Sequence, residues 1–353
     1  MIELDNLHYD FRAIDGYNKA FNFILSPREL GKTSMCWLKK VYLPWKVNFK
    51  PWIYLVRKSV EISESLIDSI FDTIINKFTD DNVKPKYTKG SFKDGIVDIY
   101  IEDKIFIRIV SLGIDLRRIK LAVLKNIGGV IIDEYIIDPR TKEKYSTNEY
   151  FKIKEAYTTW RRESEGTLKV YILANPYSLY NPLFLGWDVD LTKLKKNSFY
   201  VGDTFVIHWA TLNQELREHL LELNPLYKFD EDYNSYALEG TAINDKDIKV
   251  NPKLPQNYFL RYCFKVGDKY LGIYQNNYFS LDDDNYYCGI LNNISKYRNI
   301  YCFDFNDLVE GTQILSREER FSFSRLKDSI RRRRISYQDI NTYYLLLEVY
   351  EQL

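Results

Sequence analysis

Short continuous apolar runs recur along the first half of the chain, with helix-compatible stretches between them. Phe21–Leu25 is one such run, and Trp52–Val56, ending at Arg57, is another. Ile96–Ile101 and Ile105–Val110 flank Glu102-Asp103-Lys104 and predict a hairpin. Val130-Ile131-Ile132 runs into Asp133-Glu134, and Lys169–Leu173 closes on Ala174-Asn175-Pro176. Runs without polar alternation predict strands buried on both faces. Strands of that kind, separated by helical segments, predict an α/β fold with a mostly parallel sheet between two layers of helices.

The pattern changes near residue 200. Leu212, Leu216, Leu220 and Leu223 fall at helical spacing in Ala210–Leu223, after a cap candidate at Thr211. Asn251-Pro252-Lys253-Leu254-Pro255 marks a boundary. Beyond it, Tyr258–Val266, Tyr270–Gln275 and Tyr278–Leu281 predict a meander with turns at Gly267-Asp268 and Asn276-Asn277. A basic helical segment and a final helix over about Tyr337–Gln352 follow. The expected organisation is an α/β domain over 1–205, a helical linker over 206–252 and a third domain over 253–353.

Composition adds limits. The chain has 353 residues, 45% of them hydrophobic, and a formal charge of +1, which is ample for a sizeable core. Its 30 Tyr and 20 Phe fit the codon bias of an AT-rich genome. Cys36, Cys263, Cys288 and Cys302 lie far apart and predict free thiols in a reducing compartment. The three histidines, His8, His208 and His219, do not join them at zinc-ligand spacing. No apolar run is long enough for a membrane span, and Met1–Asp5 lacks the basic start of a signal peptide. An intracellular soluble protein is expected.

The candidate chemistry begins at Ser26-Pro27-Arg28-Glu29-Leu30-Gly31-Lys32-Thr33, between the first apolar run and a helical segment starting near Ser34. Strand, loop and helix in that order are the context of a phosphate-binding P-loop, with Ser26 standing where the first glycine would be. Backbone N–H groups at Leu30, Gly31, Lys32 and Thr33 would face the phosphates of a nucleoside triphosphate. Lys32 would reach the β- and γ-phosphates, and the Thr33 hydroxyl would hold Mg²⁺. Pro27 has no N–H and a fixed φ, so the loop should be stiff.

A P-loop needs a metal-ordering acid on a neighbouring strand. Asp133 ends an apolar run about a hundred residues downstream and would hold Mg²⁺ through its water shell. Glu134 would position and deprotonate the attacking water. Asn175 ends the next run, where an amide can sense the γ-phosphate; Asn-Pro is equally a helix start. Arg28 could supply transition-state charge in cis. Arg161-Arg162 could reach a neighbouring subunit's nucleotide or form a solvated basic pair. Arg117, Arg118 and Lys120 are weaker candidates for the same work or for DNA contact.

These residues resemble the viral DNA-packaging ATPases, the terminase large-subunit group, and within it the phi-29-type ATPases of small tailed phages. The deviant loop with Arg28 carries the likeness. Tyr54-Leu55-Val56-Arg57, Ile131-Ile132-Asp133-Glu134-Tyr135, Leu173-Ala174-Asn175-Pro176, Asn181-Pro182-Leu183-Phe184 and Tyr270-Leu271-Gly272-Ile273-Tyr274 support it. The resemblance implies an ASCE-type P-loop ATPase that packs double-stranded DNA into a preformed capsid. It further implies a homo-oligomeric ring, commonly a pentamer, on the portal protein in the host cytoplasm, and in some members a structural packaging RNA. Lys32 and Thr33 then hold phosphate and Mg²⁺, Asp133 holds Mg²⁺, Glu134 activates water, Asn175 couples, and Arg161 or Arg162 is the trans-acting finger. The third domain would be RNase H-like. Its first strand, Tyr258–Val266, contains no Asp or Glu, and Asp282-Asp283-Asp284 suits a solvated turn better than a metal cluster, so nuclease activity is expected to be absent.

The segment Arg317–Arg334 holds eight basic and three acidic residues, a net +5 in a nearly neutral chain. Arg325, Lys327, Arg331, Arg332, Arg333 and Arg334 would contact nucleic-acid phosphates, with Phe323, Leu326 and Ile330 packing inward. A basic solvated helix is the alternative. At the level of the whole protein, the rivals are another DNA-dependent ring ATPase, such as a helicase or helicase loader, and a non-hydrolysing nucleotide-dependent scaffold.

Overall fold

A computed structural model describes residues 8–138, 141, 143–146, 148–164, 166, 168–179, 181–224, 227, 234, 237, 238, 248–278, 285–292, 294, 299–303, 305–316 and 318–353. The chain forms two compact units. One comprises Met1–Val189 and Leu194–Asn244; the other comprises Asp190–Lys193 and Asp245–Leu353.

The first unit is built on nine strands: β1 (Phe21–Leu25), β2 (Trp52–Val56), β3 (Pro85–Lys86), β4 (Ile96–Ile101), β5 (Lys104–Ser111), β6 (Gly129–Ile132), β7 (Val170–Ala174), β8 (Ser198–Val201) and β9 (Phe205–Trp209). Their order is β3-β4-β5-β2-β6-β7-β1-β9-β8. The six strands from β5 to β9 pair in parallel. Antiparallel partners close both edges: β3 and β4 on one side, β8 on the other. Strands β1, β2, β6 and β7 are buried along their whole length, which is why they read as unbroken apolar runs. The predicted hairpin is β4 and β5. Strands β8 and β9 were not foreseen, because β8 is short and half-exposed and His208 interrupts the β9 run.

Successive β1 side chains point to opposite faces. Phe23 meets Phe184 at 4.8 Å and Tyr135 at 5.9 Å on one face. Ile24 joins Trp37, Val41 and Tyr54 on the other. Helical backbone follows the β1 loop from Lys32 to Asn48. It widens to a π-type turn over Cys36–Tyr42, where the Leu43 N–H bonds five residues back to the Leu38 carbonyl. Pro44 lies just beyond and has no N–H to offer, so a regular turn could not continue there.

The second unit has six strands: β10 (Tyr258–Val266), β11 (Lys269–Asn276), β12 (Tyr286–Ile290), β13 (Ile300–Cys302), β14 (Thr312–Ile314) and β15 (Ile335–Tyr337). Their order is β14-β13-β10-β11-β12-β15. β10, β11 and β12 form an antiparallel meander, while β13 runs parallel to β10 and β15 parallel to β12. Helices Ser324–Arg331 and Ile340–Gln352 bury Leu326, Ile330, Leu346 and Val349 against Phe264, Ile273 and Cys288.

Three boundaries differ from expectation. The third meander strand begins at Tyr286; Tyr278 forms a bend, and 279–281 lie outside the described residues. The last helix begins at Ile340, because Asp339 caps it by accepting the Thr342 N–H at 2.7 Å, and Tyr337 belongs to β15. The Leu-rich helix begins at Gln214, because Asn213 rather than Thr211 caps it, accepting the Leu216 N–H at 2.7 Å. All four cysteines are buried and none forms a disulfide. Among the described residues, no helix is long and apolar enough to cross a membrane.

Candidate active site

Parallel pairing brings the ends of β1, β7 and β6 to one edge of the sheet, with β7 in the middle. The Ser26 N–H bonds the Ala174 carbonyl at 3.1 Å, and the Tyr135 N–H bonds the Leu173 carbonyl at 3.0 Å. Residues that follow three different strands are thereby fixed side by side.

The loop after β1 is built from a tight turn and local hydrogen bonds. Arg28–Leu30 form one 3-10 turn after Pro27, and the Ser26 hydroxyl, fully buried, donates to the Pro27 carbonyl at 3.1 Å. Gly31 has φ +69°, a conformation that L side chains adopt only under strain. A Cβ there would lie 2.3 Å from His8 Cδ2. The helix begins at Lys32, so the N–H groups of its first turn have no acceptor within the helix.

Lys32 is buried and donates to Asn175 Oδ1 at 2.6 Å, with the Pro27 and Ser26 carbonyls at 3.4 and 3.5 Å. Burial pushes its ammonium down to about 8, a shift that Asp133 and Glu134 oppose and Arg28 adds to. Asp133 responds in the opposite sense. Burial raises its carboxyl to about 6, against the pull of Lys32, the Glu134 N–H at 2.8 Å and the Thr33 hydroxyl. Glu134 is exposed and holds a left-handed backbone at φ +50°, which costs roughly 1–2 kcal/mol for a residue with a Cβ. Leu30 is buried, Thr33 and Ser34 are half-buried, and Arg28 is exposed at the rim.

The donor set fits a triphosphate with a hard divalent cation. A desolvated ammonium faces the strand ends. A hydroxyl and a partly buried carboxylate, already in contact with each other, supply the oxygen donors that Mg²⁺ prefers.

A clamp that the sequence did not reveal supports the acids. Arg57, at the end of β2, bonds Glu149 through Nε at 3.2 Å and through its terminal nitrogen at 3.3 Å. It also donates to the Tyr135 carbonyl at 2.6 Å and lies over the Tyr135 and Tyr145 rings. The Glu149 side chain is fully buried and that of Arg57 is 10% exposed. Glu149 starts the helix Glu149–Trp160, so Arg57 ties the turn after Glu134 to that helix. A polar residue at a helix start is the only sequence trace of Glu149, and it is too common to single out. A cavity of about 210 Å³ lies here, lined by Arg57, Glu61, Asp133, Glu134 and Glu149.

The other candidates lie elsewhere. Arg161 and Arg162 are exposed in a turn beyond the far end of the same helix. The Asn126 N–H, in the segment entering β6, bonds the Glu163 carbonyl at 3.1 Å, and Arg161 lines a cavity of about 770 Å³ with Phe21, Lys19 and Thr204. These residues mark the starting ends of β6 and β1, the edge opposite the loop. Arg161 and Arg162 therefore do not join the chain's own Lys32 cluster. Lys120 pairs with Glu155 at 3.0 Å, Arg118 donates to the Asp94 carbonyl at 2.9 Å, and Arg117 is exposed.

In the second unit, Phe323, Leu326 and Ile330 are buried, while Arg325, Arg331, Arg332 and Arg333 are exposed and Lys327 and Arg334 half-buried. Arg317 and Asp282-Asp283-Asp284 lie outside the described residues. Among the described residues, no group of three or more His, Cys, Asp or Glu is placed to hold a metal.

No protein-family model matches the sequence, and no curated protein matches it. Solved structures do. The Phi-28 gp11 DNA packaging motor superposes with a TM-score of 0.65 over 98% of both chains, at 15% identity. The bacteriophage Phi-29 viral genome packaging motor assembly gives 0.64, over 98% of this chain and 99% of that one, at 18% identity. The chain has the packaging-motor fold. The likeness runs through both units, so the fold is shared from end to end although fewer than one residue in five is identical.

Proposed function

We propose that this protein is the ATPase subunit of a phage packaging motor, which uses ATP and Mg²⁺ to drive double-stranded DNA through a portal into a preformed capsid. The observation that carries the reading is the convergence of Lys32, Thr33, Asp133 and Asn175 at one sheet edge, within a chain that has the packaging-motor fold over nearly its whole length.

Each residue has a role in this reading. Lys32 leaves Asn175 for the β- and γ-phosphates. Thr33 and Asp133 would hold Mg²⁺, which would supply charge neutralisation for the phosphates. Glu134 takes the proton of the attacking water. Arg161 or Arg162 serves the nucleotide of a neighbouring subunit, because neither lies near its own chain's loop; a homo-oligomeric ring, a pentamer by analogy, is the assembly that permits this. The exposed arginines of Arg325–Arg334 grip DNA phosphates without regard to sequence. Portal protein, a packaging RNA and the host cytoplasm complete the proposed setting.

The strand order β12-β11-β10-β13-β14 supports an RNase H-like reading of the second unit. The absence of acids from β10 supports a unit that does not cut DNA. The deciding experiment is ATPase rate with and without double-stranded DNA at low salt, for the native chain and for Glu134→Gln. Turnover stimulated by DNA, lost in E134Q while ATP binding persists, is expected. Unstimulated turnover would point to another class of ATPase, and E134Q without effect would point to a non-hydrolysing scaffold.

A further inference from the structure

The helix Ser324–Arg331 and the 3-10 turn before it, Glu319–Phe323, border a cavity of about 690 Å³ lined by Arg320, Phe321, Ser324, Lys327, Asp328 and Arg331. Two aromatic residues in that turn have opposite fates. Phe323 is buried in the core of the unit, whereas Phe321 is 82% exposed and makes no ring contact among the described residues. A single exposed Phe means little by itself. Its neighbours give it meaning. Arg320 Nε is buried without a hydrogen-bond partner, an arrangement that costs stability unless an acceptor arrives. Among the described residues no carboxylate pairs with Arg320, Lys327 or Arg331; Asp328, the one acidic side chain lining the cavity, is taken by Arg332 at 3.0 Å, and Leu353 completes the lining.

We propose that this cavity binds an unpaired nucleotide of a nucleic-acid strand, with the base stacked on Phe321 and the phosphate held by Arg320, Lys327 and Arg331. Duplex DNA presents phosphates but no free base face, so a duplex would use the cations and leave the ring idle. A single strand or a strand end offers both. The volume is in the usual range for a small-molecule site, about 300–1,000 Å³. The inference rests on the nucleic-acid reading of the basic segment and goes beyond it, in assigning selectivity for unpaired bases to a particular ring.

The test is fluorescence anisotropy with the full chain and no nucleotide, using a single-stranded DNA oligomer, the matching RNA oligomer and the DNA duplex. Phe321→Ala should weaken binding of at least one unpaired strand by about tenfold, the usual effect of losing one stacked base. Phe321→Trp should restore it, and the duplex should change less than twofold. The DNA and RNA arms show which sugar the cavity prefers. Arg320→Ala/Arg331→Ala should weaken all three and lower the salt slope by about two. Equal loss for duplex and single strand in F321A, or no loss at all, overturns the inference while leaving the basic-segment reading intact. If no nucleic acid binds at low salt, both fail. Phe321 is exposed, so misfolding is not an expected outcome of its substitution.

Discussion

Asn175 Oδ1 accepts the buried Lys32 ammonium at 2.6 Å, linking the end of β7 to the helix that follows β1. In the ligand-free chain this amide occupies the lysine that a triphosphate would claim. On the proposed reading Asn175 would be released when nucleotide arrives, which is what a residue coupling occupancy to motion requires. Asn175→Ala should leave ATP affinity within about fivefold and lower single-turnover hydrolysis about a hundredfold, the scale of losing one oriented polar group in a transition state. Equal losses in affinity and turnover would make Asn175 an ordinary ligand. Nucleotide titration beside single-turnover kinetics separates the two.

The Gly31 position makes a sharper structural demand. Gly31→Ala places a methyl group 2.3 Å from His8 Cδ2 and forces an L residue to φ +69°, which alone costs roughly 1–2 kcal/mol. Both melting temperature and ATP affinity should fall. Trimming the obstacle with His8→Ala in the G31A background should recover part of the loss, leaving the backbone cost. If the double variant is no better than G31A, the close approach of His8 is not what confines the loop.

Arg57 and Glu149 form a largely buried pair, so removing either partner strands a charge away from water. Glu149→Gln should destabilise the first unit by about 3–5 kcal/mol, as should Arg57→Met. The double variant should cost clearly less than the sum of the two, read by urea denaturation followed through tryptophan fluorescence. Additive losses would show that the pair is not coupled. Because Arg57 also holds the Tyr135 carbonyl, both single variants should slow hydrolysis even at temperatures where the fold is intact.

The His208 ring stacks on Phe199 with centroids 3.9 Å apart, and its Nδ1 lies 2.9 Å from the Tyr9 hydroxyl. Burial lowers its pKa from 6.5 to about 4. Between these values the unfolded chain binds a proton that the folded chain refuses. The folded state therefore keeps its full stability above pH 6.5 and loses it as pH falls toward 4. Asp133 acts in the opposite sense over an overlapping range. Its carboxyl is raised from 3.8 to about 6, so it weakens the ligand-free fold as pH rises through that window. His208→Gln should remove the first effect only. The melting temperature of H208Q should fall less than that of the native chain between pH 6.5 and 4.5, and parallel profiles would refute the assignment.

The sequence revealed those parts of the site that depend on local chain order. β1, β2 and the Asp133 strand are continuous apolar runs because both sheet faces are covered, and Lys32 and Thr33 sit at a helix start that any reader of strand, loop and helix would mark. Glu149 was invisible because its partner, Arg57, is 92 residues away, and only the parallel sheet brings them together. β8 and β9 escaped for a different reason. β8 lies at the edge, where a short half-polar strand suffices, and β9, one strand further in, is an apolar run broken by His208. Phe321 escaped because the same short segment contains Phe323, and a pattern cannot tell which of two aromatic residues the core will take.

The location of Arg161 and Arg162 leads to the most demanding prediction. They lie near the starting ends of β6 and β1, while the loop lies at the finishing end. A five-residue strand is roughly 16 Å long, beyond the reach of one arginine side chain around the sheet. If they act on ATP, they do so on another subunit's. Arg161→Ala/Arg162→Ala should therefore bind ATP normally and lose DNA-stimulated turnover. Mixing it with Lys32→Ala, which keeps its arginines but lacks a working loop, should restore part of the activity, because a K32A subunit can serve the intact loop of an R161A/R162A neighbour. The recovered rate should peak at an intermediate mixing ratio. A flat baseline at every ratio, with both variants shown to assemble together, would remove these arginines from the reaction and leave them as a solvated basic pair.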